Sequence, residues 1–228
     1  MSETSKAINR FQKQIDQTLD YYSELLLAVS GKTRQAALET ILAEQCAMSL
    51  AVSWEAFIHD VLIAHVVMNS SVFISSLQAR LKQSIAEKYG SAVGWTKFKF
   101  PKSPNKDQLM GMVDPKGWNI TANSAEELAS RANSLLQASD AKKFSLDAED
   151  RAFVDYLISI RNYLGHRSKG SRSEVGRTIR GMQATPRNSE LVAPIQTVGA
   201  YLKNRVSPDR TRAQFIGSSL REISEKLR

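Results

Sequence analysis

Apolar residues recur at three- and four-residue spacing over most of this chain, the period of helices that bury one face. The first stripe, Ile8, Phe11, Ile15, Leu19 and Tyr22, predicts a helix over about 5–28, with Gly31 as a stop signal. A longer helix is expected from near Thr33. It carries Leu38, Ile41, Leu42, Leu50, Trp54, Phe57, Ile58, Val61 and Leu62, and fades at Asn69 and Ser70. A third follows over about 71–89, closed by Gly90. Phe153, Tyr156, Leu157, Ile160 and Leu164 mark another, expected from Ser145 and giving out at Gly165.

Between 90 and 123 the period breaks. Gly94, Pro101, Pro104, Gly111, Pro115 and Gly117 exclude a continuous helix there. Trp95 to Phe100 alternates like a short strand or hairpin arm, and Ser124 reads as the N-cap of the helix that resumes. After 166 the pattern predicts a basic loop, a helix over about 191–203, and a last helix. That last helix is expected to open at Ser207-Pro208-Asp209 and to carry Phe215, Ile216, Leu220, Ile223 and Leu227. The expectation is one all-α helical bundle over 1–228, with an irregular insertion at 90–123 and additional C-terminal helices at 188–228.

Composition narrows this further. With one cysteine, Cys46, no intramolecular disulfide can form, which fits a reducing, cytoplasmic setting. The N-terminus opens polar, and the most apolar stretch, 61–68, is interrupted by His65, so no membrane span is expected. The net charge of +8 is unevenly placed. Residues 1–141 balance 14 basic against 14 acidic side chains, whereas 142–228 hold 17 against 9. Seven basic residues fall between Arg161 and Arg187, with Glu174 the single acid among them. Such a block either attracts a polyanion or is a solvated surface.

The candidate chemistry lies where the Phe153 stripe ends, in Arg161-Asn162-Tyr163-Leu164-Gly165-His166. A histidine can move protons near neutral pH, and an arginine can hold a phosphate with a permanently charged planar fork. On an ideal helix these two residues stand about 140° apart, so they converge only where the helix ends or bends, as Gly165 permits. Arg-Asn, then three residues, then His resembles the signature of the HEPN ribonuclease superfamily. Trp54-Glu55-Ala56-Phe57 on the long second helix is similar to the acidic-aromatic helix of its RiboL-PSP group. The resemblance covers roughly 5–185.

That resemblance implies a metal-independent endoribonuclease with no cofactor, in which two copies set their Arg/His motifs in one cleft. It implies catalytic roles for Arg161, Asn162 and His166, with Glu55 orienting Arg161 or His166. RNA would be held by Arg167, Lys169, Arg172, Arg177 and Arg180, and products would carry 2′,3′-cyclic phosphate and 5′-hydroxyl ends. The family's prominence in toxin–antitoxin and antiviral defence implies an antitoxin or defence-system partner. The alternative is a non-catalytic HEPN-like adaptor binding nucleic acid or protein.

Plainer readings stand beside these. Arg161 could serve only in a salt bridge, His166 as a C-terminal helix cap, and Glu55 as the partner of His59 four residues on. His59 and His65 lie about 240° apart on a helix and cannot share a metal, so zinc is not expected. Ser30-Gly31-Lys32-Thr33 lacks the first glycine of a phosphate-binding loop and reads as a helix–helix turn. Cys46 sits in an apolar run and reads as core. In the insertion, Trp95, Phe98, Phe100 and Trp118 beside Lys97, Lys99, Lys102, Lys106 and Lys116 offer either base-stacking platforms or a lid packed on the bundle.

Overall fold

The computed structural model describes residues 1–90, 99–101, 104–117, 120–182 and 186–228. The chain is an all-α bundle organised around one long helix. α1 (Glu3–Val29) is capped by the Ser2 side chain, which accepts from the Ser5 N–H. It turns at residues 30–34 into α2 (Gln35–Met68), with Gly31 and Arg34 at positive φ of 71° and 66°. The Ser-Gly-Lys-Thr segment is therefore a helix–helix turn, as its flanking helices require.

From Phe57 to Val66 almost every side chain of α2 is buried, which is the pattern of a helix surrounded on all sides. α2 is also long and apolar enough to cross a membrane, but 67% of its most apolar window is buried against other helices, as in the core helix of a bundle. Phe11 of α1 stacks on Phe57 with ring centroids 4.3 Å apart, and Trp54 leans on both rings. Cys46 is buried in this core, where desolvation pushes its thiol up to about 12.

α3 (Ser71–Tyr89) ends at Gly90, which has a φ of 75°. The insertion contains a helix that periodicity did not reveal, α4 (Lys106–Val113), opened by an Asn105/Gln108 capping box and anchored by buried Leu109. The expected strand at Trp95 lies, to Phe98, outside the described residues, as does Trp118; Lys99 and Phe100 belong to no regular element. α5 (Ala125–Leu135) starts at Ser124 as expected. α6 (Ala138–Ala141) and a 3₁₀ turn at Lys142–Phe144 lead to α7 (Ala148–His166), whose N-cap, Asp147, falls just after the expected start at Ser145.

Three expectations need correction in the C-terminal part. The basic segment after the Arg/His motif is a helix, α8 (Lys169–Gly181), capped by Ser168 and buried through Val175 and Ile179. The helix expected over 191–203 is a 3₁₀ turn at Pro186–Leu191, an irregular stretch, and the short α9 (Val198–Lys203). Pro194 crowds Ala193 out of the helical region, so 191–193 do not join the helix that follows. Ser207-Pro208-Asp209 does not open the last helix but turns a small antiparallel hairpin, β1 (Arg205–Ser207) with β2 (Arg210–Thr211). α10 (Arg212–Lys226) follows, with a Thr211/Gln214 capping box.

Two glycines allow helices to approach closely. A Cβ on Gly199 of α9 would lie 2.5 Å from both Glu44 Oε1 and Thr40 Cγ2, and one on Gly217 of α10 would meet Leu19 at 2.8 Å.

Candidate active site

α7 reaches the site on its own apolar stripe. Phe153, Tyr156, Leu157 and Ile160 are buried, so the helix is set in rotation before Arg161 begins its last, half-exposed turns. Arg161 then meets α2. Its Nε donates to Glu55 Oε1 at 2.9 Å, Nη2 donates to the same oxygen, and Nη1 donates to Asn162 Oδ1 at 2.8 Å. The two side chains of the ion pair are only 23% and 20% exposed. A guanidinium has five N–H donors. Among the described residues these contacts use three, leaving two for a ligand.

Glu55 is therefore the partner of Arg161 and not of His59. The buried His59 ring instead accepts from the Ile120 N–H at 3.0 Å, which ties the end of the insertion to α2 beside Glu55. The stretch from Ile120 to Ser124 lines a small crevice that Glu55 shares with Trp54 and Ile158.

Gly165 does not end α7. The helix continues through His166, and the break falls at Arg167, in the left-handed region at φ 52°. Arg161 and His166 thus stay on one regular helix, about 140° apart around its axis and about 7.5 Å along it. His166 is exposed, with no hydrogen bond or ion pair among the described residues. The motif residues are therefore neighbours within about one and a half turns without converging on a common point within one chain.

A second ion pair parallels the first. Arg167 donates from Nη1 and Nη2 to the two carboxylate oxygens of Glu44, at 3.0 and 2.7 Å, with its guanidinium 5.6 Å over the Tyr163 ring. The bonds to Glu44 raise the Arg167 pKa. Glu44 and Glu55 lie eleven residues apart, three turns on one face of α2. Glu44 escaped the sequence reading, and that spacing is the signal that could have found it.

The remaining basic residues divide. Arg177 is exposed and paired with Glu174 within α8, and that pairing raises its pKa. Arg172 donates to the Gln196 carbonyl. Lys169 and Arg180 are exposed, without a hydrogen bond or ion pair among the described residues. Lys169, Arg172 and Arg180 line a groove of about 740 Å³, whose other wall is Val192 to Ile195.

α2 also presents an unpaired face. Leu38, Ile41, Gln45, Ser49, Val52 and Ala56 are all exposed, recur at helical spacing, and none is charged. Ile41 and Val52 are 54% and 48% exposed. This strip runs about 27 Å and ends beside Glu55. Among the described residues no three His, Cys, Asp or Glu side chains gather as metal ligands would.

No family model, curated protein or solved structure matches this chain.

Proposed function

We propose that this chain is an RNA-acting protein of the HEPN type. Its activity, on this reading, is metal-independent endoribonucleolytic cleavage by a homodimer. The observation that carries the reading is the clamp on Arg161: Glu55 and Asn162 hold a half-buried guanidinium with two donors free among the described residues, about one and a half helical turns from an exposed histidine.

Cleavage through the RNA's own 2′-hydroxyl needs a base and an acid. The 2′-oxygen attacks phosphorus as its proton passes to a neutral imidazole. The bond from phosphorus to the 5′-oxygen then breaks as an imidazolium protonates the departing oxygen. Products are a 2′,3′-cyclic phosphate and a 5′-hydroxyl. Each chain has one histidine in the motif, on a different side of α7 from Arg161. A second copy laid against the uncharged face of α2 would bring another Arg161 and another His166 to the same cleft. The two arginines would then stabilise the phosphorane charge. The biological setting this reading favours is a toxin–antitoxin or antiviral defence system, with a protein partner that restrains the nuclease.

A non-catalytic adaptor is the second reading. It draws on the same ion pair, because Glu55 neutralises the arginine that would face the phosphate. One test separates them: RNA cleavage in EDTA by wild type and by His166→Ala. Cleavage by wild type that disappears in His166→Ala, with cyclic phosphate ends, supports the nuclease. Cleavage undiminished in His166→Ala overturns it, and intact RNA with both proteins favours the adaptor.

A further inference from the structure

The groove between α8 and the segment 192–195 is built differently on its two sides. Lys169, Arg172 and Arg180 lie along α8 over eleven residues, about 16 Å of helix. Between them stands Gly176, which has no side chain to fill the space. Facing them is an aliphatic wall of Val192, Ala193, Pro194 and Ile195, with Ile179 of α8 beneath. Arg172 fixes this wall by donating to the Gln196 carbonyl. One rim is therefore cationic, with Lys169 and Arg180 unengaged among the described residues, and the opposite side is apolar and half-exposed.

We infer that this groove takes a single-stranded nucleic acid, phosphates along α8 and base faces against Val192, Pro194 and Ile195. The inference rests on the reading of the chain as RNA-acting, and it assigns that reading a strand type. A duplex presents phosphates but hides its base faces in the stack, so it can use the cations and not the wall. An unpaired strand uses both, because it is itself charged on one edge and apolar on the other. Arginine's planar fork also suits phosphate oxygens better than it suits scattered carboxylates. The groove starts at Lys169, three residues after His166, so a strand lying in it leads to the motif. Arg167 and Arg177 are left out, each being held by a glutamate outside the groove.

The experiment uses the full chain carrying His166→Ala, so that binding is read without cleavage and the fate of the nuclease reading does not decide it. Fluorescence anisotropy is recorded with a fluorescein-labelled 12-nucleotide single-stranded RNA, with the same RNA annealed to its complement, and with a polyglutamate peptide as competitor. The single strand is expected to bind at least tenfold tighter than the duplex. Lys169→Ala and Arg180→Ala should each weaken it and lower the slope of log affinity against log salt by about 0.7. Ile195→Ser should weaken the single strand several-fold while leaving both that slope and duplex binding unchanged. Should Ile195→Ser prove unfolded by circular dichroism, the near-isosteric Val192→Thr replaces it. Equal affinity for duplex and single strand, or no effect of the wall substitution, overturns the inference. Displacement by polyglutamate at equal charge concentration also overturns it, in favour of an acidic protein partner.

Discussion

Removing Glu55 tests both the architecture and the chemistry, because one carboxylate holds the guanidinium on which the site depends. Its Oε1 accepts two N–H bonds from Arg161, and the pair is about four-fifths shielded from solvent. Hydrogen bonds to charged groups are worth about 1.5–3 kcal/mol when the partner is left behind partly buried. Arg161 retains Asn162, so the lower half of that range applies, and Glu55→Ala is expected to cost about 2 kcal/mol. In a chain of this length that corresponds to roughly 4–8 °C in Tm. Arg161→Ala should cost a similar amount, and the double variant little more than either single one. The cycle then gives a coupling of about 1–2 kcal/mol. Urea unfolding of the four proteins measures it, with Glu55→Gln distinguishing loss of charge from loss of shape. A coupling below about 0.5 kcal/mol would mean that Glu55 does not hold Arg161 in solution. If the nuclease reading is right, Glu55→Ala should also lower kcat more than it raises KM, since a mispositioned guanidinium is missed most in the transition state.

Other expectations follow from single observations. On the homodimer reading, Val52→Glu places a charge in the uncharged strip of α2 and should leave the chain monomeric in sedimentation equilibrium with helicity intact; a dimer that survives it excludes this face as the contact. Gly165→Ala should raise stability by about 0.5–1 kcal/mol, because Gly165 is helical and a Cβ there meets nothing within 4 Å; a loss of stability would point to a hinge. Gly199→Ala should cost about 1–3 kcal/mol in urea unfolding by driving Glu44 and Thr40 off α9; an unchanged midpoint would show that α9 does not seat there. Burial holds the His65 pKa below its usual value despite Asp140 3.4 Å away, so the unfolded chain takes up a proton that the folded one refuses. Its stabilisation is complete above about pH 6.5 and is lost as pH falls below that, by up to about 1.4 kcal/mol per unit, so His65→Gln should flatten the acid side of the stability profile.

The parts of the fold that were legible in sequence are those whose burial is one-sided. α1 and α7 bury a single stripe each, so their spacing alone located them. α8 did not read as a helix because Gly170 and Gly176 weaken its propensity and only Val175 and Ile179 anchor it; its stability comes from packing on α7. Pro208 misled for a specific reason. Its fixed φ suits the first turn of a helix and the second position of a β-turn equally well, and a capping box at Thr211 places the helix start later. At the site, Arg161, Asn162 and His166 were visible as residue types, while Glu55 stood open between orienting Arg161 or His166 and pairing with His59, and only the fold sets it on Arg161. The engagement of Arg167 by Glu44 was not visible, since charge counting treats every arginine alike and only the tertiary fold shows which ones are already satisfied.

These two ion pairs bear on how any catalysis must be assembled. Glu55 with Arg161 and Glu44 with Arg167 fasten α7 to α2 at both ends of its last two turns. The rotation of α7 against α2 is thereby set, while the regular helix itself keeps Arg161 and His166 about 140° apart. Closing that angle within one chain would require unwinding α7 after Arg161, which would break the Arg167 N–H bond to the Tyr163 carbonyl and release the Glu44 pair. Docking a second chain leaves every one of these contacts in place and needs only an uncharged surface beside the motif, which α2 presents. Of the two routes to a complete acid–base pair, dimerisation is thus the one that leaves these contacts intact.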